Sequence, residues 1–230
     1  MIVYQQKLPW DLQAFIRPCG EVIPHNKQVC WRSSMNFITA FIVFVAYTKM
    51  GYYTLGQWRF AIKSYLEEQR RLDGQILTLT SRLGFPLGTM MVSIDRGQLP
   101  PDGMFPDEMA RLRSQYGDSI AYCGKYAVWP GLEKLCLGDK VFKLAVYWAC
   151  ENDVDLAVMI VHPDHANYYR RKGAEIIARI GDTPGLKKAP AVLLAIKPKH
   201  SPRIQKAWAE EQERRLASQV KPNAIGQLAA

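Results

Sequence analysis

The sequence contains few cysteines, and their spacing excludes two kinds of small-protein scaffold. Its 230 residues include five cysteines, an odd number at wide spacings, and no CxxC pair. Disulfide frameworks and structural zinc sites require paired or closely spaced cysteines. We therefore expect neither disulfides nor a metal site.

Long hydrophobic runs are also scarce. The most apolar stretch, Phe37 to Tyr47, lies within an uncharged run of only 16 residues, 33–48. A membrane-spanning helix needs about 20 apolar residues, so a buried helix is the better interpretation. The first residues, MIVYQQKLPWD, lack the basic and then apolar order of a secretory leader. These features predict a reduced, soluble, cytoplasmic protein without a transmembrane segment, with peripheral membrane contact left open.

Acidic side chains are in deficit. Lysine and arginine total 30 against 21 aspartates and glutamates, which gives a formal net charge of +9. A 48% hydrophobic fraction with 22% charge is ordinary for a globular protein and excludes a disordered one. Residues 165–200 hold eight basic and two acidic side chains, a net +6. Such a face indicates either an acidic partner or a plain solvated surface. No nucleic-acid-binding motif is present, so we expect no nucleic acid partner.

The hydrophobic pattern predicts an α/β fold. Residues 1–32 read as an irregular N-terminal arm, and helices begin near residues 33, 57, 106, 139 (with Asp139 as N-cap), 163 and 204. Strands are predicted at 75–80, 87–95, 119–128, 156–161, 175–180 and 191–196. The continuous run LAVMIV at 156–161 is typical of a central strand covered on both faces. The strand–helix–strand–helix–strand centre implies parallel pairing and the first two strands a hairpin, so the central β-sheet should be mixed and flanked by helices.

Four segments, taken in order, carry a family resemblance. They are FITAFIVFVAYTKMGYY at 37–53, GTMMVSIDRGQLPPD at 88–102, FPDEMARLR at 105–113, and VHPDHANYYRRKG at 161–173, the last followed by Ala189-Pro190-Ala191. With this order and spacing the chain resembles the GNAT acyltransferase fold. It is most similar to the N-acyl amino acid synthases (FeeM-type), relatives of the acyl-homoserine lactone synthases. The implied domain is 33–200, between the arm at 1–32 and a C-terminal helix and tail at 201–230.

The resemblance implies an acyltransferase that moves a long fatty acyl group from a phosphopantetheine thioester to the amine of an amino acid. The implied donor is acyl carrier protein, whose acidic surface suits the basic segment 165–200. No tightly bound cofactor is expected. Acyl-CoA is a less expected donor, because no Gln/Arg-x-x-Gly-x-Gly/Ala phosphate loop follows strand 119–128.

The resemblance also implies a site. The pantetheine arm would lie in a splayed gap between strands 119–128 and 156–161. Tyr169 aligns with the tyrosine that protonates the leaving thiolate, and the alternative is a packing tyrosine. His165, four residues earlier on the same helical face, is a candidate proton relay. The candidate oxyanion donors are the backbone N–H groups of Tyr126, Ala127 and Val128.

The remaining candidates concern the phosphate and the acceptor. The phosphate would meet the start of the Asp139 helix, assisted by Lys134 and Lys140. Candidate acceptor-binding residues are Asp95, Asp102, Glu108 and Arg113, with Arg113 able to fork onto a carboxylate.

One departure from the family pattern leaves alternatives open. Related enzymes often carry a carboxylate on the strand near Tyr122, the third predicted catalytic residue, but IAYCGKYAV has none. The protein could use another base. It could also be a catalytically impaired module that binds acyl chains or acyl carrier protein. A lactone-type signal synthase is the remaining alternative.

Overall fold

The computed structural model describes residues 13–16, 28–81, 85–132, 137–181, 190–200 and 204–213 without 207 and 211; at 13–16, 28–36 and 200 it describes the backbone alone. The strands are β1 (Gln13–Ile16), β2 (Gln75–Thr80), β3 (Pro86–Ile94), β4 (Ile120–Val128), β5 (Leu156–Val161), β6 (Glu175–Ile180) and β7 (Ala191–Ile196). The α-helices are α1 (Gln28–Lys49), α2 (Trp58–Arg71), α3 (Pro106–Tyr116), α4 (Leu137–Glu151) and α5 (Pro163–Arg170). Short 3-10 helices span Leu55–Gln57, Pro100–Gly103 and Pro198–His200.

The strands form one mixed sheet in the order β1-β2-β3-β4-β5-β7-β6. Among the described pairs only β4 and β5 run parallel. Helix α4 connects these two strands and packs on β2, β3 and β4, as a parallel crossover requires. The mixed α/β sheet expected from the sequence is confirmed.

Two expectations about the chain path are wrong. The N-terminal arm is not wholly irregular, because β1 pairs antiparallel with β2 and α1 already begins at Gln28. The connection through α3 does not produce parallel strands either, since β3 and β4 are antiparallel. The Asp95 N–H donates to the Ile120 carbonyl at 2.8 Å, so β3 ends beside the start of β4. Helix α3 therefore belongs to a loop at one end of the sheet.

The sheet separates two apolar cores. One lies between the sheet and α4 with α5, and the other between the sheet and α1 to α3. Strand β5 shows the division: Ala157 and Met159 face the α4 core, whereas Leu156 and Val158 face the other. The prediction that this strand is covered on both faces is confirmed. No helix in the described ranges is long and apolar enough to cross a bilayer.

Candidate active site

Strands β4 and β5 separate after a short parallel ladder. Their pairing consists of Ile120 with Leu156, Ala121 with Ala157 and Tyr122 with Val158. Beyond this point β4 continues to Val128 and β5 to Val161 without a pair between them. Within the described residues, the edge of β4 that faces β5 therefore has no strand partner after Tyr122. This V-shaped opening matches the splayed gap that the family resemblance implies.

A β-bulge in β4 gives the opening a local cause. Gly124 pairs with Met91 but Ala127 pairs with Thr89, so two residues of β4 oppose one of β3. Lys125, the first of the two, has a left-handed backbone with φ of 51°. A bulge bends its strand and increases the twist. The end of β4 is thereby turned away from β5.

The ladder on the other edge of β4 shows which N–H groups face the opening. The Trp129 N–H donates to the Leu87 carbonyl of the β3 segment at 2.8 Å. Because backbone groups alternate along a strand, Ala127 also faces β3, whereas Tyr126 and Val128 face the opposite edge. Of the three predicted oxyanion donors, we retain Tyr126 and Val128.

Tyr169 projects from α5 into the α4 core and is 5% exposed. Its ring centroid lies 5.8 Å from that of Phe142 and 6.4 Å from that of Tyr126. Burial raises the pKa of Tyr169 well above its usual value, and Tyr126 and Tyr47 raise it further. Tyr47 belongs to α1 on the opposite face of the sheet. Tyr169 therefore keeps its proton at neutral pH.

A carboxylate that the sequence analysis missed lies beside the bulge. Glu68 of α2 pairs through Oε2 with the Lys125 Nζ at 2.9 Å, and the side chains are 17% and 18% exposed. The Glu68 Oε1 is buried and has no hydrogen-bond partner among the described residues. After burial itself, the Glu68 charge is the largest influence that raises the pKa values of Tyr47 and Tyr122. Helix α2 thus places a carboxylate beside Lys125 of β4, a strand that carries no carboxylate of its own.

A signal for Glu68 exists in the sequence. The buried residues of α2 include Ala61, Ile62, Tyr65 and Gln69. Glu68 lies three residues after Tyr65 and seven after Ala61, which places it on the same helical face. A search limited to β4 overlooks it, because this carboxylate lies on another element.

Tyr122 faces α1 and α2 and is buried. Its ring covers Gly124 so closely that a Cβ there would lie 2.2 Å from the Tyr122 Oη. Burial raises the pKa of Tyr122 well above its usual value. The phenol is therefore neutral and can donate a hydrogen bond, but it is no base at neutral pH. Its catalytic role stays a prediction.

Side chains of the protein itself occupy the start of α4. The Tyr168 Oη donates to Asp139 at 2.5 Å, and the Lys172 Nζ pairs with the same carboxylate at 2.9 Å. The Tyr126 Oη lies against Gly138, 2.1 Å from where a Cβ would stand. Burial, followed by the Asp139 charge, raises the pKa of Tyr126 to about 12.

Asp139 is the third residue of α4 and not its N-cap as predicted, because the helix already includes Leu137. Lys140 lies in the same first turn and is half-buried. Lys134, the other predicted phosphate contact, lies outside the described residues. Phosphate binding at this helix start stays a prediction.

His162 and His165 lie at the end of β5 and on α5. His162 caps α5 by accepting the Asp164 N–H at 3.4 Å, and its ring centroid lies 6.3 Å from that of Tyr52. His165 is exposed, with its ring centroid 6.4 Å from that of His162. A relay from His165 to Tyr169 stays a prediction.

Three of the four predicted acceptor-binding residues, Asp95, Asp102 and Arg113, form an ion-pair cluster at the other end of β4. The Arg113 Nε donates to Asp95 at 2.7 Å, and its Nη1 and Nη2 donate to Asp102 at 2.6 and 2.7 Å. Glu108 is half-buried on the same helix, α3. Asp95 adjoins Ile120, five residues before the bulge and thus about 17 Å from it along a strand. Acceptor binding by these four residues stays a prediction.

Two cavities lie away from the opening. One of about 430 Å³ is lined by residues such as Tyr116, Leu156 and Lys197. A second of about 840 Å³ adjoins Arg170 and Arg171 at the end of α5. Neither is lined by a residue of β4. The opening is thus defined by its backbone geometry, and no metal-ligating cluster occurs in the described ranges.

Comparisons with known proteins agree with this geometry. The family model for N-acyl amino acid synthase FeeM matches residues 42–197. The solved structure of FeeM, an N-acyl amino acid synthase from uncultured soil microbes, has a TM-score of 0.63 at 20% identity, and the match covers 84% of this chain and 98% of that one. A protein from Desulfovibrio desulfuricans assigned to the GNAT acetyltransferase family gives a TM-score of 0.51 at 12% identity, covering 80% and 99%.

A candidate N-acetyltransferase from Lactobacillus plantarum gives a TM-score of 0.50 at 10% identity, over 71% of this chain and 91% of that one. At these identities the structural matches show the fold. Proteins of curated function give no match to the sequence. The family model covers well over half of the chain, which confirms the resemblance seen in the motifs. The chain belongs to the N-acyl amino acid synthase FeeM family and is an N-acyltransferase with the GNAT fold.

Proposed function

We propose that this N-acyltransferase moves a long fatty acyl group from the phosphopantetheine thioester of acyl carrier protein to the amine of an amino acid. The observation that carries the proposal is the opening between β4 and β5, with a bulge on one side and a buried carboxylate beside it. The family supplies the reaction type, and the geometry supports the roles of single residues.

The donor arm has a backbone template in the opening. Pantetheine is an extended chain with two amides, so it can pair with the unpaired edge of β4 as a strand would. Its thioester carbonyl would meet the N–H groups of Tyr126 and Val128. Donors already fixed in place stabilise the developing oxyanion without reorganisation, and removal of one such donor typically costs 10²- to 10³-fold in rate.

Charge favours a carrier protein over CoA as the donor. In the first turn of α4 the Asp139 carboxylate pairs with Lys172, so these two side chains offer the diphosphate of CoA no net positive charge at that helix start. The basic segment presents Arg170, Arg171 and Arg179 as exposed side chains. An acidic carrier protein would meet these arginines while placing a single phosphodiester near α4.

The Glu68–Lys125 pair suits a zwitterionic acceptor. Glu68 offers a buried oxygen without a partner, and Lys125 offers an ammonium group 2.9 Å from the other oxygen. An amino acid carries one charge of each sign on adjacent groups. Its ammonium would meet the Glu68 Oε1 and its carboxylate the Lys125 Nζ, which places the nitrogen beside the bulge.

The proton balance of the reaction assigns one role each to Glu68 and Tyr169. Glu68 accepts a proton from the ammonium, and the free amine attacks the thioester carbon. The carbon–sulfur bond breaks, and the Tyr169 hydroxyl donates a hydrogen bond to the leaving thiolate. The first proton, which leaves the ammonium before the attack, passes from Glu68 to water. The second proton leaves the nitrogen after the attack and ends on the thiol. Because burial raises the pKa of Tyr169, this residue stabilises the thiolate as a hydrogen-bond donor and does not release its own proton.

The test is a transfer assay with purified protein, carrier protein loaded with acyl chains of several lengths, and mixed amino acids. S-adenosylmethionine is included as a further amine. Mass spectrometry should detect N-acyl amino acids. Absence of product at every chain length, with tight acyl-carrier binding that Tyr169→Phe leaves unchanged, would instead identify a non-catalytic binding module. A lactone product would identify a signal synthase.

A further inference from the structure

The turn between α1 and α2 exposes large apolar side chains. Met50, Leu55, Trp58 and Phe60 are 45%, 76%, 40% and 65% exposed. All four lie within eleven residues of chain, and we call them the corner patch. Single exposed apolar residues are common in soluble proteins, whereas four of them within one short stretch of chain favour an interaction site.

Basic residues surround the corner patch. Residues 49–67 contain Lys49, Arg59 and Lys63 against one acidic residue, Glu67, which pairs with Lys63 at 3.7 Å. The Arg59 guanidinium lies 5.2 Å from the centroid of the Trp58 ring. Apolar and aromatic side chains bordered by lysine and arginine are the composition of surfaces that enter the headgroup region of anionic membranes.

The corner patch continues into the aromatic side chains at the opening. Tyr52 and Tyr53 follow Met50 in the chain, and their ring centroids lie 5.5 and 6.2 Å from that of Tyr47. Tyr52 also contacts His162 at the end of β5. A surface bound at the corner patch would therefore lie near the mouth of the active site.

We propose that the corner patch docks the protein on an anionic lipid bilayer. A second copy of the chain fits less well, because a two-fold contact would place the net +2 of residues 49–67 against itself. If the proposed function holds, its amphiphilic product would leave the opening directly into the bilayer. Docking itself requires only the exposed apolar side chains and the basic residues beside them, and not the proposed reaction.

Vesicle flotation tests this proposal with the full chain and no substrate. The protein should bind phosphatidylcholine vesicles containing phosphatidylglycerol and bind pure phosphatidylcholine much more weakly. Joint replacement of Leu55→Ser and Phe60→Ser should weaken binding by at least about tenfold, since each side chain buries apolar area in the interface. Arg59→Gln should weaken binding to the anionic vesicles about fivefold and leave binding to pure phosphatidylcholine unchanged.

Phe85→Ser is the matched control, because Phe85 is 61% exposed and lies outside the patch, before β3. Equal binding by the wild-type protein and the Leu55→Ser, Phe60→Ser variant would overturn the proposal, as would no binding to either vesicle. A concentration-dependent dimer lost in that variant would assign the patch to a second copy instead. The variant should retain its circular dichroism and its acyl transfer to dissolved substrates, so failure of docking is distinguishable from failure of the proposed function.

Discussion

At the scale of single residues, the proposed mechanism depends on which side chain accepts a proton from the substrate ammonium and which one stays protonated. Glu68 is an acceptor with a buried oxygen that lacks a partner, and Tyr169 is a phenol that burial keeps protonated. The family motif identifies Tyr169 in the sequence. It does not identify Glu68, because the pairing of α2 with the bulge at Lys125 is a tertiary contact that no local pattern encodes.

Replacement of Glu68 by glutamine should lower kcat by about 100-fold or more, since the amide has similar size but accepts no proton. Steady-state rates of thiol release from the acyl donor measure the effect. Glu67→Gln is the matched control, because its neighbouring carboxylate is 59% exposed and forms only a surface pair with Lys63. Equal rates for the two variants would show that Glu68 is not the base.

Replacement of Tyr169 by phenylalanine should lower kcat about tenfold or more and change KM little, because the lost hydrogen bond forms with the leaving thiolate. The ring stays, so packing against Phe142 is preserved. Tyr116→Phe serves as control, since Tyr116 belongs to α3 and lines the cavity beside Lys197, away from the opening. A change confined to KM would assign Tyr169 to binding.

At the scale of elements, β4 has no space for a side chain at position 124, because the Tyr122 ring covers it. A Cβ on Gly124 would lie 2.2 to 2.4 Å from atoms of the Tyr122 ring. Gly124→Ala should therefore lower the free energy of unfolding by about 1–3 kcal/mol, as overpacking does. Urea denaturation measures it, with Gly56→Ala as control because no atom lies within 4 Å of a Cβ there. Equal midpoints would contradict the tight fit.

The loop from β3 to β4 depends on Arg113. Its guanidinium holds Asp95, whose side chain is 3% exposed, together with Asp102. Lysine cannot fork onto two carboxylates, so Arg113→Lys should lower the free energy of unfolding by about 2–3 kcal/mol. The exposed neighbour Arg111→Lys should have no effect in the same urea titration. A loss of acceptor affinity in Arg113→Lys without any loss of stability would instead support the predicted binding role.

Element boundaries follow from the sequence wherever local periodicity decides them. Strands β2, β5, β6 and β7 begin and end where their apolar patterns predict. The antiparallel direction of β3 and β4 cannot be predicted from the sequence. A connection that contains a helix, such as α3, can join either parallel strands through a crossover or antiparallel strands through a loop at one end of the sheet. The bulge does not follow either, since nothing in GKYA distinguishes Lys125 from a residue in a regular strand.

At the scale of the whole molecule, buried acidic groups make stability depend on alkaline pH. Burial raises the pKa of the Cys123 thiol from 9.0 to about 12. Between these values the unfolded chain ionises and the folded one does not, so the unfolded state binds fewer protons and stability falls as pH rises. The full contribution of Cys123 is about 4 kcal/mol, at roughly 1.4 kcal/mol per pH unit.

The ionisation of Cys123 should accordingly leave the free energy of unfolding unchanged near neutral pH and lower it above about pH 9. Cys123→Ala should reduce the slope of that decline, and the remainder belongs to buried tyrosines such as Tyr126. Denaturation at a series of pH values measures both slopes. An identical decline in the variant would contradict the burial of this thiol.

The central claim is that the acyl-pantetheine arm pairs with the open edge of β4. Amide hydrogen exchange followed by NMR, with and without a non-hydrolysable acyl-pantetheine analogue, tests it most directly. The Tyr126 and Val128 amides should exchange more slowly when the analogue is bound. The Ala127 amide, which faces β3, should not change. Protection elsewhere in the chain, with Tyr126 and Val128 unaffected, would contradict the claim.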